Sequence, residues 1–148
     1  MPRFVIFITI TLLALVFPRC GDQVRDEFPR TDFVGYFDLN YSSYAKDVFT
    51  AEEDMDRHQV GINGIIVYRS SDQFFAFEKM CPYETKPSCS VQVNEEEETS
   101  VAECECCGSR FLIASETGDI IEGPAKRSLK TYRTAFDPQS NQLVVSSR

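Results

Sequence analysis

Two short segments hold the residue types best suited to chemistry: Cys81-Pro82-Tyr83 and Cys104-Glu105-Cys106-Cys107. Cys104 and Cys107 have C-x-x-C spacing, which lets two thiolates curl round one metal ion. Gly108 follows and permits a tight bend. Facing one another, two such loops could hold a metal ion or an iron–sulfur cluster. Read instead as a reactive dithiol, the pair lacks the βαβ pattern of thioredoxin-like motifs. No catalytic residue is expected, because Ser109 has no neighbouring histidine to activate it. The single histidine, His58, reads as a surface or loop side chain rather than a ligand.

Six cysteines are present: Cys20, Cys81, Cys89, Cys104, Cys106 and Cys107. The first follows Arg3 and an apolar run, Phe4 to Phe17, broken only by threonines. Such a run is short for a bilayer core of about 30 Å but suits the h-region of a signal peptide. Residues 1–19 are therefore expected to be a signal peptide, 20–32 a tether and 33–148 the folded domain. Cys20 is a lipidation candidate, although Pro18 and Arg19 stand where small residues are usual. The alternative is an uncleaved anchor. Either way the domain is expected in a bacterial cell envelope, on the periplasmic side or the cell surface. With Cys20 acylated, five cysteines remain. An odd number means that one thiol stays free or that several bind something.

The formal net charge is −8. Removing residues 1–19 takes away Arg3 and Arg19 and no acid, so the mature chain is more negative still. A phosphate backbone would repel it, and nucleic acid is not an expected partner. The run Glu95 to Glu98 reads as a solvated loop, since four consecutive carboxylates cannot all face one ion.

Short apolar segments separated by turns must position the two loops. Phe33 to Leu39 reads as a strand, and burial of Phe33, Tyr36, Phe37 and Leu39 would make it an extra edge strand. Tyr41 to Phe49 is ambiguous, with Tyr44 and Val48 at helical spacing. Ala51 to Arg57 reads as charged and exposed. Gly64 to Arg69 and Phe74 to Phe77 flank Ser70-Ser71-Asp72 and read as a hairpin. Val91-Gln92-Val93, Val101 to Cys104, Phe111-Leu112-Ile113, Ile120-Ile121-Glu122, Leu129 to Phe136 and Leu143-Val144-Val145 continue the strand pattern. Turns every 8–12 residues predict an all-β antiparallel sandwich or partly open barrel.

Residues 61–145 resemble a Rieske-type 2Fe–2S domain. That family carries C-x-H in its first loop and C-x-x-H, or C-x-C-H-G-S-x-F, in its second. Cys81-Pro82-Tyr83 and Cys104 through Phe111 are similar to these, and Gly118 to Ala125 resembles the turn, strand and Gly-Pro-Ala loop near the cluster. Leu129 and Tyr132 also match. The resemblance implies a Rieske-like fold with a small cluster-binding-type subdomain, and a 2Fe–2S cluster as cofactor.

In the family, two cysteines hold one iron and two histidines the other. Cys81 and Cys104 match the cysteines, whereas Tyr83 and Cys107 stand at the histidine positions. The resemblance is thus to a lipoprotein-like member with both histidine ligands replaced. Thiolate and phenolate in place of neutral imidazole imply a lower potential and no proton-coupled quinol reaction. Ring hydroxylation is not expected either, since one histidine cannot make a 2-His-1-carboxylate site. Some respiratory members carry a disulfide between the loops. By that resemblance Cys106 would pair with Cys89.

Three functions remain open on the sequence. The first is an electron-transfer module with an atypical, histidine-less cluster on Cys81, Cys104, Cys107 and either Tyr83 or Cys89. The second is a zinc or mononuclear iron site on Cys81, Cys104 and Cys107. The third is a cofactor-free, disulfide-stabilised domain that binds or supports a partner. The expected partner is an unidentified redox or structural protein of the envelope, with the N-terminal anchor on the membrane.

Overall fold

The computed structural model describes residues 28–94 and 99–148. The signal peptide, Cys20, most of the tether and the Glu95–Glu98 run lie outside the described residues.

Ten strands form the domain, and no helix occurs among the described residues. They are β1 (Val34–Asp38), β2 (Val48–Ala51), β3 (Ile65–Ser70), β4 (Gln73–Glu78), β5 (Val91–Val93), β6 (Val101–Cys104), β7 (Arg110–Leu112), β8 (Ile120–Glu122), β9 (Thr131–Asp137) and β10 (Gln142–Ser146). A six-stranded antiparallel sheet runs β1-β10-β9-β4-β3-β2, and a four-stranded sheet runs β5-β6-β7-β8. The small sheet is inserted between β4 and β9, which pair with each other at Ala76–Tyr132 and Phe77–Thr131. The chain therefore leaves the large sheet through one loop, builds the small sheet and returns beside its point of departure.

Two cores follow from the side-chain pattern. Ile65-Ile66-Val67 does not alternate with polar residues, as suits a strand covered on both faces. Ile65 and Val67 face a core with Phe37, Phe49, Val60, Leu143 and Val145. Ile66 faces the other, with Phe77, Val91, Ala102, Phe111, Ile113 and Leu129. The second core glues the small sheet to the large one and includes Cys81, Cys89 and Cys104.

β1 sits at the edge of the large sheet, pairing with β10 from Val34–Ser146 to Asp38–Gln142. Phe37 and Leu39 point inward, but Tyr36 is 43 % exposed because it lies on the opposite face of the strand. Tyr41 to Asp47 forms turns and bends rather than a helix. It is held by Tyr44, whose ring packs 5.3 Å from Phe37 and 5.2 Å from Phe49. Val48 then opens β2, so its apparent helical spacing with Tyr44 has no structural meaning.

The Ala51–Arg57 segment is not uniformly exposed. Asp54 is buried and accepts backbone N–H groups from Asp56 and His58, each at 2.9 Å. Burial raises its pKa, but these hydrogen bonds outweigh burial and leave the carboxyl below its ordinary value. His58 is exposed and places Nδ1 3.5 Å from the same carboxylate.

Glu78 is a second buried acid. It accepts from Ile62 N at 2.7 Å, Asn63 N at 2.9 Å, Met80 N at 2.9 Å and the Tyr132 hydroxyl at 2.5 Å. Burial first, and then the donated bond to Glu78 and its charge, raise the Tyr132 pKa well above the phenol value. The unfolded chain thus ionises this phenol at lower pH than the native one. Stability from Tyr132 is full below about pH 10 and declines as pH rises above it. Tyr132→Phe should lose about 1–2 kcal/mol at pH 7 and flatten that alkaline decline. Chemical denaturation at pH 7 and at pH 10.5 checks both.

Candidate metal centre

The first loop leaves β4 at Lys79 and returns at β5. Cys81 N–H donates to Cys89 O at 3.0 Å, and Thr85 N–H donates to Cys81 O at 2.9 Å. These bonds curl the backbone so that the Cys81 thiol turns inward, fully buried. The second loop joins β6 to β7. Gly108 N–H donates to Cys104 O at 2.7 Å, and Cys104 N–H donates to Ser109 O at 2.9 Å. Gly108 takes φ +68°, the left-handed conformation that closes this turn.

Cys89 and Cys106 are joined by a disulfide with Cα atoms 5.8 Å apart. It ties the first loop to the second. Cys81, Cys104 and Cys107 are free, and their sulfurs lie within 4.8 Å of one another. Cys81 Sγ and Cys107 Sγ are 3.7 Å apart. Tyr83 stands on the same loop as Cys81 but is 50 % exposed. Cys89, being oxidised, is not available as a fourth ligand.

A third segment braces the site. Ser109 is buried, and its hydroxyl accepts Ala125 N–H at 3.0 Å while lying 3.2 Å from Cys107 Sγ. Its hydrogen is free to point at a Cys107 thiolate. Burial raises the Cys107 pKa, but the Ser109 hydroxyl and backbone N–H, with Cys104 and Cys81 behind them, outweigh it and leave the thiol lowered. Cys81 is the opposite case. Burial pushes its thiol up to about 12, and the backbone N–H groups of Glu84 and Tyr83 offset this only in part. A soft cation among the three sulfurs would supply the charge that ionises Cys81.

The sequence model of the Rieske [2Fe-2S] domain matches residues 41–133. This chain belongs to the Rieske family. No curated protein matches it. The match begins earlier than the resemblance read from residue 61 and takes in β2 and the Asp54 loop.

Membership points to an iron–sulfur electron-transfer module, with a 2Fe–2S cluster as the family's cofactor. The donor set of this Rieske domain does not fit that cluster as histidine-bearing members hold it. Three cysteines converge and no histidine joins them; His58 belongs to the separate Asp54–Asp56 group. Positions 83 and 107 should share an outer iron, separated from Cys81 and Cys104 by bridging sulfides. Instead Cys107 lies 3.7 Å from Cys81, and Tyr83 is half exposed.

Glu78 was not recognisable as part of this site from sequence. It positions the first loop by holding the N–H of Met80, the residue immediately before Cys81. No local pattern announces it, because its other donors come from residues 62, 63 and 132.

Two substitutions probe the bracing. Gly123 has φ +98°, and a Cβ there would meet Ser109 Cα at 2.5 Å. Gly123→Ala should push the Gly-Pro-Ala loop off Ser109 and cost about 2–3 kcal/mol. Thermal unfolding measures the loss, and metal retention should fall with it. Removing the disulfide, with its sequence separation of 17, by the double change Cys89→Ser and Cys106→Ser should cost about 3 kcal/mol. In a thermal melt this is a fall of the order of 10 °C.

Proposed function

We propose that this Rieske domain is an electron-transfer module of the cell envelope whose redox centre is iron held by the thiolates of Cys81, Cys104 and Cys107. The observation that carries the reading is the partition of the loop cysteines. Cys89 and Cys106 are spent on a disulfide, while three thiols converge in one braced pocket. Thiols this close oxidise one another in an oxidising compartment unless something soft occupies them.

Residues 1–19 and Cys20 support export and a lipid anchor, and a persistent disulfide accords with an oxidising envelope. The partner is a redox or structural protein that meets the two loops, with the membrane held through Cys20. The acidic surface disfavours nucleic acid.

Anaerobically prepared protein tests the reading by potentiometric titration. Thiolate ligation predicts a potential below about −150 mV, the low end for histidine-ligated clusters. The potential should lack the fall that ionising imidazole ligands give histidine-ligated clusters at alkaline pH, because no ligand here is an imidazole. Iron-free protein with no redox transition would overturn the proposal.

A further inference from the structure

We infer that the three thiols form a mononuclear, tetrahedral S3 site for one thiophilic ion rather than a cradle for two irons, with the fourth vertex open to a small exogenous ligand. The inference rests on the reading that these thiols hold a metal, and it fixes the nuclearity of that centre.

Sulfur spacing argues for it. Four thiolates about 2.3 Å from one ion stand about 3.8 Å apart along the tetrahedron's edges. The Cys81–Cys107 separation is 3.7 Å, and all three sulfurs lie within 4.8 Å. One ion seated between Cys81 and Cys107 therefore comes within reach of all three after at most a small inward shift of Cys104. Two irons with bridging sulfides need the second-iron ligands set apart from Cys81, and a fourth protein ligand besides. Neither condition holds: Cys107 is drawn against Cys81, Tyr83 is half exposed, and Cys89 is bonded to Cys106.

The loops also resist spreading. The disulfide fixes the first loop to the second, one residue before Cys107. On the other side, Ser109 is clamped between Cys107 and Ala125 N–H. Gly123 leaves no room for even a methyl group against Ser109. A pocket held at both ends accepts an ion that fits its present span. With three protein ligands and solvent beyond the half-buried Cys107, the fourth position is open, as in other three-ligand sites. With iron as the ion, the site would exchange one electron, ferric to ferrous, with the redox protein partner, while Cys81, Cys104 and Cys107 stay bound to it.

Cobalt(II) reports both count and geometry. The reduced, metal-free full chain is titrated with cobalt(II) under argon. Saturation at one cobalt per chain, with intense sulfur-to-cobalt charge-transfer bands and tetrahedral d–d bands, is the expected result. Cys107→Ser should lose most of the charge-transfer intensity at one cobalt per chain, because the two remaining thiolates no longer enclose the ion. Tyr83→Phe should leave the spectrum unchanged, and it guards against a Cys107 variant that fails to fold. Saturation at two cobalt ions, or isolated protein with two irons and two acid-labile sulfides per chain, would overturn the single-ion site while leaving electron transfer standing. One zinc per chain as isolated would uphold the single-ion site and remove electron transfer. Failure to bind cobalt with all three thiols free would overturn both.

Discussion

Cys104→Ser should reduce the retained metal to less than about a tenth of the wild-type content. Cys104 is fully buried at the end of β6, in the core that joins the small sheet to the large one. It is one of the three converging sulfurs. A serine hydroxyl is shorter, harder and protonated at neutral pH, so it cannot replace a thiolate on a soft ion. The two sulfurs left behind do not enclose a tetrahedral ion. The fold should survive, because a buried hydroxyl without a good partner costs only about 1–3 kcal/mol. Elemental analysis beside a thermal melt separates the effects. Metal loss with a modest shift in melting temperature is the expected pattern. Metal retained at the wild-type level would show that Cys104 only packs.

Glu78→Ala should be the most destabilising single change away from the cysteines. The side chain has no solvent exposure, and its two oxygens accept four donors. Three are backbone N–H groups and one is the Tyr132 hydroxyl. Truncation orphans all four in a buried cavity. Each orphan costs about 1–3 kcal/mol, and entry of water recovers part of it. A net loss of about 4 kcal/mol is expected, a fall of the order of 10 °C or more in melting temperature. Glu78→Gln keeps the volume but turns an NH2 group towards donors, so it should recover only about half. The loss reaches the metal site as well. Glu78 fixes the peptide of Met80 and, through Gly61, the turn that carries Ile62 and Asn63. Gly61 has φ +70°, and a Cβ on it would stand 3.0 Å from Glu78 Oε2. Denaturant unfolding of the two variants tests the ordering.

The strand framework was legible wherever one short apolar run ended in a turn. Gly64 to Phe77 read as a hairpin, and it is one, with Ile65 paired to Glu78 and Ser70 to Gln73. The aromatic segment at Phe33 read as an extra edge strand and pairs with β10 at the sheet's edge. The all-β class followed from the same pattern, and the resemblance carried by the loop motifs supplied the family and the small subdomain. Elements defined by distant partners were not legible. Tyr44 and Val48 share a helical spacing by coincidence, because ring contacts with Phe37 and Phe49 decide the turn. Asp54 looked like one more surface acid, yet it closes its own loop through backbone N–H groups. Glu78 follows the Phe74–Phe77 run with no local pattern to mark it, and its four donors are spread over 70 residues of sequence.

For the site, the residue types were visible and their partition was not derivable from spacing alone. Five cysteines in two loops admit several pairings. The Cys89–Cys106 link was suggested by family resemblance, and the structure contains it. That link withdraws Cys89 from any ligand set. Tyr83 stands on the first loop, but its exposure is set by the direction of the turn after Pro82, which composition does not encode.

The most direct test is a mass-spectrometric account of the five loop cysteines and their metal in one native sample. Anaerobically purified chain should carry one disulfide, Cys89–Cys106, and one iron with no sulfide. After acid release, alkylation without reduction should label Cys81, Cys104 and Cys107 and no other loop cysteine. A metal-free chain with a second disulfide among Cys81, Cys104 and Cys107 would contradict the account.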